Sequence, residues 1–383
     1  MFVDDIIRLK HLSLHMNLEA DGDSTFPCTV DNTVPDAIVS HAVLPNGKRI
    51  PLVKSLLTSA CERNCYYCPF RAGRDYHRVT FTPEKMARTF MNIHNAGIAQ
   101  GIFISSGVFN GGIHTQDKLI ETAEILRTKL GFQGYIHLKI MPGSERAQVL
   151  RSMQLADRVS VNLEAPNTER LSKLAPRKRY LEELILPLQW VHDIRETEPP
   201  TNGWHHKWPS STTQFVVGAT DESDHELLAT TEFGYKKLGL GRVYFSPFRP
   251  IPDTPLQDAS PTNTRRELRL YQASFLLRDY GFTLDELPIN GSGFLPLHTD
   301  PKVLWANNFL RPEPVELNNA DYDHLLRIPG IGRKSALAII KARKIGRITA
   351  INEIAQLGIK IVRISPYILI NGKRPPHQLS FSY

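Results

Sequence analysis

A regular alternation of short apolar runs with longer amphipathic stretches constrains the fold of this chain more than any other feature of its sequence. The apolar runs, rich in β-branched and aromatic residues, begin near residue 52 and read LVKSLLT, QGIFISS, GYIHLKIM, DRVSVNLE, TTQFVVG and GRVYFSPF. The stretches between them have helical periodicity, as in TQDKLIETAEILRTKLG, where Leu119, Ala123 and Leu130 recur at helical spacing. Six strands that alternate with helices predict parallel βαβ units. We therefore expect an α/β fold, either an incomplete barrel or an open curved sheet, with its chemistry at the C-terminal ends of the strands.

At 383 residues the chain is long enough for one large domain and a small one, and its pattern divides it into four parts. Residues 1–50 are a poorly periodic lead-in, and residues 51–250 carry the alternation of strands and helices. Residues 251–315 form a covering helix, with the pattern TRRELRLYQASFLLRDYG, and a linker in which we expect the segment LPINGSGFLPLHTDPKVLWA to be irregular. Residues 316–383 form a separate, small basic module, which we expect to be all-α.

Basic residues are concentrated towards the C-terminus. The chain has 46 Lys and Arg and 39 Asp and Glu residues, of which 12 and 5 lie from Arg311 onward, so the preceding part has 34 of each. A neutral body followed by a strongly basic tail predicts that the C-terminal module binds a polyanion.

Cysteine content and hydropathy indicate a cytosolic protein. Four cysteines in a chain of this length do not make a disulfide scaffold. No uninterrupted apolar run approaches the roughly 18 residues of a membrane span, and the amphipathic start MFVDDIIRLKHL is unlike a signal peptide. We therefore expect a cytoplasmic location and no membrane partner, and in that compartment clustered thiols indicate a metal site or catalysis.

Three of the four cysteines lie within eight residues, in the segment TSACERNCYYCPF that follows the first predicted strand. A closed zinc site needs four ligands. Three thiolates, in contrast, can hold three irons of a four-iron, four-sulfur cluster and leave the fourth iron open to another ligand. The sequence therefore favours a cluster on Cys61, Cys65 and Cys68. The alternative is a zinc site in which Cys28 or His77 supplies the fourth ligand.

The segment CERNCYYC resembles the CxxxCx(aromatic)C signature of the radical S-adenosylmethionine (SAM) superfamily, with Tyr67 as the aromatic residue before the last cysteine. The resemblance implies a partial (β/α)6 barrel of the radical SAM type and a [4Fe-4S] cluster whose open iron is chelated by SAM. It further implies that the reduced cluster cleaves SAM and releases a 5′-deoxyadenosyl radical, which takes a hydrogen atom from a substrate. The electrons would come from a flavodoxin- or ferredoxin-like donor.

Members of this superfamily usually carry a GGE-like turn after the second strand, whose backbone holds the amino group of SAM. The matching segment here is ISSGVFNGG, so the resemblance assigns this place to Ser105, Ser106 and Gly107. The acidic residue of the family pattern is missing, which removes a side-chain contribution and leaves a backbone one.

The segment VSVNLEAPN, at the fourth strand, places Ser160, Asn162 and Glu164 on one face at a period of two residues. Polar side chains on an otherwise apolar strand need a polar partner. By resemblance that partner is the ribose or the amino-acid part of SAM, and the alternative is a hydrogen-bonded barrel interior. The resemblance also assigns Gly218, at the end of the fifth strand, to the turn against the adenine.

Further basic residues accompany the strand ends. Lys139 lies at the end of the third strand and either binds a phosphate or carboxylate or faces solvent. The run Arg177, Lys178 and Arg179 follows the fourth strand, and it either binds the SAM carboxylate or a substrate phosphate or forms a solvated face.

The C-terminal module contains the segment DHLLRIPGIGRKSALAIIKAR, which predicts two helices joined by a tight glycine turn, the first from about Asn319 to Arg327. This segment resembles the helix-hairpin-helix DNA-binding motif, in which N–H groups of the hairpin and of the next helix bind a backbone phosphate. The resemblance assigns this role to Gly330, Gly332, Arg333 and Lys334. The later segment LGI resembles a degenerate second hairpin. The alternative is that the hairpin only packs the module.

A radical SAM core followed by a helix-hairpin-helix module resembles a bacterial family of radical SAM proteins assigned to DNA modification or DNA repair. The resemblance extends over nearly the whole chain, through SSGV, GYIHLKIMPG, VSVNLEAP, TQFVVGA and RIPGIG. It implies an enzyme that directs a deoxyadenosyl radical at DNA, either to modify a base or to repair a lesion. The alternatives are an RNA-modifying radical SAM enzyme and a DNA-binding protein with a structural metal site. The sequence assigns no catalytic residue.

Overall fold

The computed structural model of the chain describes residues 2–13, 16, 38–43 and 49–376. The chain forms two compact units. The first unit comprises Met1–Glu222 and Phe233–Asn263, and the second comprises Ser223–Glu232 and Thr264–Tyr383.

A seven-stranded sheet forms the centre of the first unit, with the strands in the order of the chain. The strands are β1 (Val39–Val43), β2 (Arg49–Leu56), β3 (Gly101–Ser105), β4 (Tyr135–Lys139), β5 (Arg158–Ser160), β6 (Ser210–Val217) and β7 (Arg242–Pro247). β1 pairs with β2 in antiparallel register, and β2 to β7 are parallel. The six predicted parallel strands and the partial (β/α)6 barrel are thus confirmed. β1 is an added edge strand of five residues, which the sequence analysis missed because no helix separates it from β2.

Helices connect the parallel strands and cover the sheet. They are α1 (Phe2–Ser13), α2 (Pro83–Asn95), α3 (Gly111–Glu124), α4 (Arg146–Leu155), α5 (Thr168–Leu174), α6 (Leu186–Thr197) and α7 (Asp224–Lys237). A π-helical turn at Ile125–Lys129 continues α3, and another at Tyr180–Ile185 precedes α6. Local signals set the helix starts: at α2, the Thr82 side chain accepts a hydrogen bond from the Lys85 N–H, and Pro83 is the first helical residue.

Most residues of β2 to β6 are buried, as expected for strands with helices on one side and a packed interior on the other, whereas β7 is buried only at residues 243–245. All five residues of β3 are buried. The interior of the barrel is partly polar, since His137 and Lys139 of β4 are buried as well. The loops that follow β2 to β5 meet at the C-terminal edge of the sheet, where the candidate active site lies.

The second unit is mainly helical, with α8 (Thr264–Asp279), α9 (Pro301–Phe309), α10 (Tyr322–Arg327), α11 (Arg333–Ile345), α12 (Ile351–Gln356) and α13 (Ile361–Ile364). A short parallel pair, β8 (Val315–Glu316) with β9 (Ile368–Leu369), is an addition to the predicted all-α module. α10 begins later than predicted because Asp321 caps it, accepting a hydrogen bond from the His324 N–H. None of the described helices combines the length and the apolar character that a membrane span requires.

The helix α9 corrects one prediction, because we expected its segment to be irregular. Its start is well defined: the Asp300 side chain accepts hydrogen bonds from the N–H groups of Lys302 and Val303, and Pro301 is the first helical residue. An N-cap aspartate followed by proline is a helix-start signal that was present in the sequence.

Candidate functional sites

The three clustered cysteines lie in a long loop, residues 57–80, that leaves the C-terminal end of β2. The base of this cysteine loop is closed by an antiparallel bridge between Thr58 and Thr80. Cys65 is buried, whereas Cys61 and Cys68 are half-buried. The Cys68 N–H donates a 3.3 Å hydrogen bond to the Cys65 carbonyl, which folds the CYYC segment into a turn.

Arg78 holds the cysteine loop together through its guanidinium group. Its Nη1 donates to the carbonyls of Ser59 and Phe70, at 2.6 and 2.8 Å. Its Nη2 donates to those of Arg71 and Arg74, at 3.0 and 3.2 Å. The four carbonyls lie on both sides of the three cysteines, so a single planar group with a rigid set of donors fixes the two arms of the loop.

The thiols of the loop are close enough to influence one another. Burial raises the pKa of Cys65 and raises that of Cys68 well above its ordinary value, and Cys61 adds to both effects. Among the described residues, no three His, Cys, Asp or Glu side chains form a group that could hold a metal ion. A four-iron cluster binds each thiolate at a different iron, so it does not require three sulfur atoms to meet around one ion.

The structure gives the position of only one of the two candidates for a fourth zinc ligand. Cys28 lies outside the described residues. His77 is exposed, and its carbonyl lies 3.2 Å from the ring nitrogen Nε2 of His11.

A cleft opens beside the cysteine loop at the C-terminal edge of the parallel strands. It contains about 880 Å³ of empty space, part of which is open to solvent. The residues named in the sequence analysis that line it are Cys61, Cys65, Cys68, Tyr67, Ser105, Ser106, Gly107, Asn162 and Glu164, together with Lys139 and Lys178. The structure therefore brings all the predicted cluster and SAM residues to one cleft except Ser160 and Gly218.

Gly107 packs directly against the cysteine loop. Its N–H donates a 2.8 Å hydrogen bond to the Thr58 carbonyl. A Cβ atom at this position would lie 2.3 Å from the carbonyl oxygen of Ala60, a distance that real Cβ atoms do not reach. The SSG turn therefore requires glycine because the backbone of the cysteine loop approaches it closely.

Glu164 has an unusual conformation and an unusual environment. Its φ of +64° places it in the left-handed region, which is costly for a residue with a side chain. Its Oε1 accepts a 2.8 Å hydrogen bond from Lys178 Nζ. Its buried Oε2 has no hydrogen-bond partner among the described residues. Buried polar atoms are normally paired, so this oxygen is suited to a donor on a bound molecule.

Tyr67 lies beside this carboxylate. Burial raises the pKa of the Tyr67 hydroxyl well above its ordinary value, and the charge of Glu164 and a weaker side-chain hydrogen-bonding interaction with it add to this effect. The hydroxyl therefore stays protonated over the whole physiological range of pH and remains a hydrogen-bond donor.

Asn162 and Ser160 share a strand face but differ in depth. Asn162 lines the cleft, and its Oδ1 accepts a hydrogen bond from Lys139 Nζ. The Ser160 hydroxyl lies deeper and is hydrogen-bonded at 2.8 Å to Nε2 of His137. Ser160 thus has the barrel-interior partner that the sequence analysis left as the alternative.

Gly218 is in the left-handed region, at φ +87°, but it does not line the cleft. Its N–H donates to Oε1 of Glu222. A Cβ atom at Gly218 would lie 2.1 Å from Oγ1 of Thr262. Its backbone conformation and its packing against Thr262 account for the glycine.

Only one residue of the basic run after the fourth strand enters the cleft. Arg177 and Arg179 are exposed, whereas Lys178 is largely buried and pairs with Glu164. Arg63, which the sequence analysis did not single out, also lines the cleft and donates a 2.7 Å hydrogen bond to Glu183. Sequence spacing did not separate Lys178 from its neighbours because adjacent residues in a turn point in different directions.

The predicted hairpin in the second unit forms a tight turn between α10 and α11. The Ile331 N–H donates a 3.1 Å hydrogen bond to the Ile328 carbonyl across Pro329 and Gly330. Gly330 has φ +89°, which proline followed by glycine favours in a type II turn. A Cβ atom there would lie 2.8 Å from Cβ of Arg363, so both the turn and the packing require glycine.

At position 332, in contrast, neither the backbone conformation nor the packing requires a glycine. Its φ of −110° and ψ of −179° are ordinary extended values. A Cβ atom at Gly332 would make a normal 3.5 Å contact with Oη of Tyr280. As the N-cap residue of α11 it has no side chain to bond the first N–H groups of the helix. Arg333 and Lys334, which follow it, are exposed.

The family comparison covers the part of the chain that contains this cleft. The family model described as the Radical SAM superfamily matches residues 55–234. Among solved structures, the chain is similar to methylornithine synthase, with 15% identity over 59% of this chain and 61% of that chain and a TM-score of 0.47. It is also similar to the FeFe-hydrogenase maturase HydG from Carboxydothermus hydrogenoformans, with 16% identity over 59% of this chain and 51% of that chain and a TM-score of 0.45. A search of curated proteins gave no match.

The chain is also similar to the radical SAM methyltransferase TsrM from Kitasatospora setae, with 15% identity over 54% of this chain and 38% of that chain and a TM-score of 0.39. It spans less than two thirds of the length of each of these three proteins. The family match covers the cysteine loop, the SSG turn and Glu164. Residues 55–234 of the chain, which carry the candidate site, thus match the radical SAM superfamily, whose members use a [4Fe-4S] cluster and S-adenosylmethionine.

Proposed function

We propose that Cys61, Cys65 and Cys68 bind the [4Fe-4S] cluster, that the adjoining cleft binds SAM, and that the enzyme modifies or repairs DNA held by its second unit. The observation that carries the cofactor part is the meeting of the three cysteines and the strand-end residues at one cleft. The donor set fits the group, because three thiolates leave one iron open for the amino and carboxylate groups of SAM.

The residues of the cleft have separate tasks in this proposal. Glu164 Oε2 accepts a hydrogen bond from a hydroxyl or ammonium group of SAM, since it is buried and has no partner among the described residues. The backbone of residues 105–107 lies against the cysteine loop and borders the amino-acid part of SAM. A reduced cluster held by the three cysteines, with SAM in the cleft, would supply a 5′-deoxyadenosyl radical for removal of a hydrogen atom from the substrate.

The nucleic-acid part of the proposal rests on the second unit. The uncapped start of α11 at Gly332 is flanked by the exposed side chains of Arg333 and Lys334. Eleven basic residues and one acidic residue lie between Arg327 and Arg374. A helix N-terminus in a basic field suits a phosphate, and such contacts are insensitive to base sequence and sensitive to salt.

DNA is the substrate that we favour, because the hairpin resembles a DNA-binding motif. RNA is the second candidate, since phosphate contacts do not distinguish the two nucleic acids. We further propose a flavodoxin- or ferredoxin-like electron donor, because the cluster must be reduced before SAM is cleaved. We also propose a cytoplasmic location, which the low cysteine content of the chain supports.

The cofactor proposal is tested by electron paramagnetic resonance (EPR). The protein is purified without oxygen, reconstituted with iron and sulfide, reduced, and measured with and without SAM. We expect the signal of a reduced four-iron cluster, with a shape that changes when SAM is added. Bound zinc in place of a cluster would contradict the proposal and leave a DNA-binding protein with a structural metal site.

The substrate proposal is tested with matched nucleic acids. We expect duplex DNA to raise the yield of 5′-deoxyadenosine more than RNA of the same length and sequence at the same salt concentration. A larger yield with RNA would favour the second candidate. The variants Cys61→Ala, Cys65→Ala and Cys68→Ala should lose SAM cleavage and keep DNA binding, because the cysteines lie outside the second unit.

A further inference from the structure

Lys302, at the start of α9, reaches the hairpin of the second unit. Its Nζ donates a 2.8 Å hydrogen bond to the carbonyl oxygen of Ile331, although the two residues are 29 positions apart. The same ammonium group lies 4.5 Å from the centre of the Tyr280 ring. The hairpin is thus held by a residue outside the helix-hairpin-helix segment.

The peptide between Ile331 and Gly332 connects Lys302 with the opposite side of the hairpin. In a trans peptide the carbonyl and the N–H group point in opposite directions, and the described residues contain no cis peptide bond. The carbonyl that points to Lys302 therefore directs the Gly332 N–H away from Lys302. The Ile331 N–H is already bonded to Ile328, so Gly332 and the first residues of α11 carry the amides that can donate to a ligand.

We infer that Lys302 is a positioning residue for phosphate binding, because its hold on the Ile331 carbonyl fixes the direction of the Gly332 N–H. The inference rests on the proposed role of the hairpin. If this peptide rotated, an oxygen would replace the N–H on the side that meets the phosphate. Lys302 opposes the rotation, since its ammonium group would lose the acceptor.

The charge on Lys302 depends on its surroundings. Burial lowers the pKa of Lys302 to about 7, and the Asp300 carboxylate acts in the opposite direction. The other charged and titratable groups around it are Tyr280, Arg363 and Tyr367, with Asp279 and Arg333 beside Tyr280. An ammonium group makes a stronger, charge-assisted hydrogen bond than a neutral amine. We therefore expect the hold on the hairpin to weaken as the pH rises through neutrality.

The test compares the Kd of the full-length protein for a DNA duplex at pH 6.5 and pH 8.5, at constant salt. We expect the wild type to bind more weakly at pH 8.5. Lys302→Met should bind roughly tenfold to a hundredfold more weakly than the wild type at pH 6.5, the size of one charge-assisted hydrogen bond, and should respond less to pH. Lys302→Arg should bind well at both pH values, because a guanidinium group stays charged.

Two controls separate the possible failures. The pair of His324 and Asp321, with Nδ1 2.9 Å from Oδ1, is present in every variant and is therefore common to all the proteins compared. Gly332→Asp places a carboxylate over the amides of α11. If it leaves DNA binding unchanged, the hairpin is not the phosphate site and the nucleic-acid part of the proposed function is wrong.

If Gly332→Asp abolishes binding while Lys302→Met keeps the affinity of the wild type, only the role of Lys302 is wrong. A Lys302→Met protein with lower affinity, a lower Tm and the pH profile of the wild type would also overturn the inference, since that result describes a structural residue. A lower affinity together with a flattened pH profile supports it.

Discussion

Lys178 Nζ lies 2.8 Å from Oε1 of Glu164, and the side chains are only 10% and 5% exposed. The pair neutralises the carboxylate inside the cleft and leaves Oε2 for a bound molecule. Buried ion pairs contribute little net stability, because desolvation offsets the attraction. Together with the left-handed backbone of Glu164, this supports the proposal that the pair serves the binding of a molecule in the cleft.

Removal of Lys178 alone should destabilise the first unit strongly. Lys178→Met leaves the Glu164 carboxylate buried without its partner, which costs about 3–5 kcal/mol. The double variant Lys178→Met/Glu164→Gln should recover most of that loss, because no buried charge remains. The measurement is urea unfolding of the metal-free protein.

An exposed pair provides the control for this prediction. Lys173 and Glu169 are also joined at 3.0 Å, but their side chains are 55% and 70% exposed. Lys173→Met should change the free energy of unfolding by no more than about 0.5 kcal/mol. A Lys178→Met protein as stable as this control would refute the buried-pair argument.

Substitution of Arg78 should weaken retention of the cluster without unfolding the barrel. Lysine has a single ammonium group and cannot bond the four carbonyls that Arg78 bonds. We expect reconstituted Arg78→Lys to lose iron to a chelator several times faster than the wild type, with an unchanged circular dichroism spectrum. Arg88→Lys, at a side chain that is 65% exposed, is the matched control. Equal rates of iron loss in the two variants would contradict the role of Arg78.

The sequence predicted the elements that depend on local pattern. Periodicity located the six parallel strands, and the spacing of the cysteines and the IPGIG turn located the two candidate sites. A period of two residues also placed Ser160 on the same face as Asn162. It did not give the depth of Ser160 in the barrel, because depth depends on the register of β5 with β4. In that register the Ser160 hydroxyl is hydrogen-bonded to His137 of β4.

The residues that the sequence analysis missed act over long distances along the chain. Arg78 bonds carbonyls up to 19 positions away, and Lys302 bonds one 29 positions away. Arginine and lysine occur so often on surfaces that neither carries a signal of its own. The reason for a glycine at position 218 was equally hidden. A Cβ atom there would collide with Thr262, which is distant in sequence.

The two glycines of the hairpin should respond differently to substitution. Gly330→Ala forces a side chain into a left-handed conformation and against Arg363, so it should destabilise the second unit by about 1–3 kcal/mol. Gly332→Asp should keep or slightly raise the Tm, because aspartate is a good N-cap residue, and should abolish DNA binding by repelling phosphate. Gly332→Asn is the uncharged control and should bind better than Gly332→Asp. Equal binding by these two variants would exclude charge repulsion as the cause.

Arg333 and Lys334 should each contribute to the salt dependence of DNA binding. If each neutralises one phosphate, Arg333→Met and Lys334→Met should each reduce the slope of log K against log salt by about 0.9. The exposed Lys129, in the first unit, supplies the control variant Lys129→Met. A slope unchanged in both hairpin variants would show that these side chains do not contact the backbone of DNA.

The stability of the protein should depend on pH through Lys302. Its pKa in the folded protein is about 7, whereas an unfolded lysine has a pKa of about 10.4. Between these values the unfolded chain binds a proton that the folded chain does not, so this residue makes the free energy of unfolding increase with pH, by at most about 1.4 kcal/mol per pH unit. Lys302→Met lacks this proton, so its free energy of unfolding in urea should increase less between pH 7 and pH 9 than that of the wild type. The variant Lys334→Met, at an exposed site, should show the same increase as the wild type. If Lys302→Met also follows the wild type, the Lys302 amine is protonated in the folded protein and its burial does not control the hairpin.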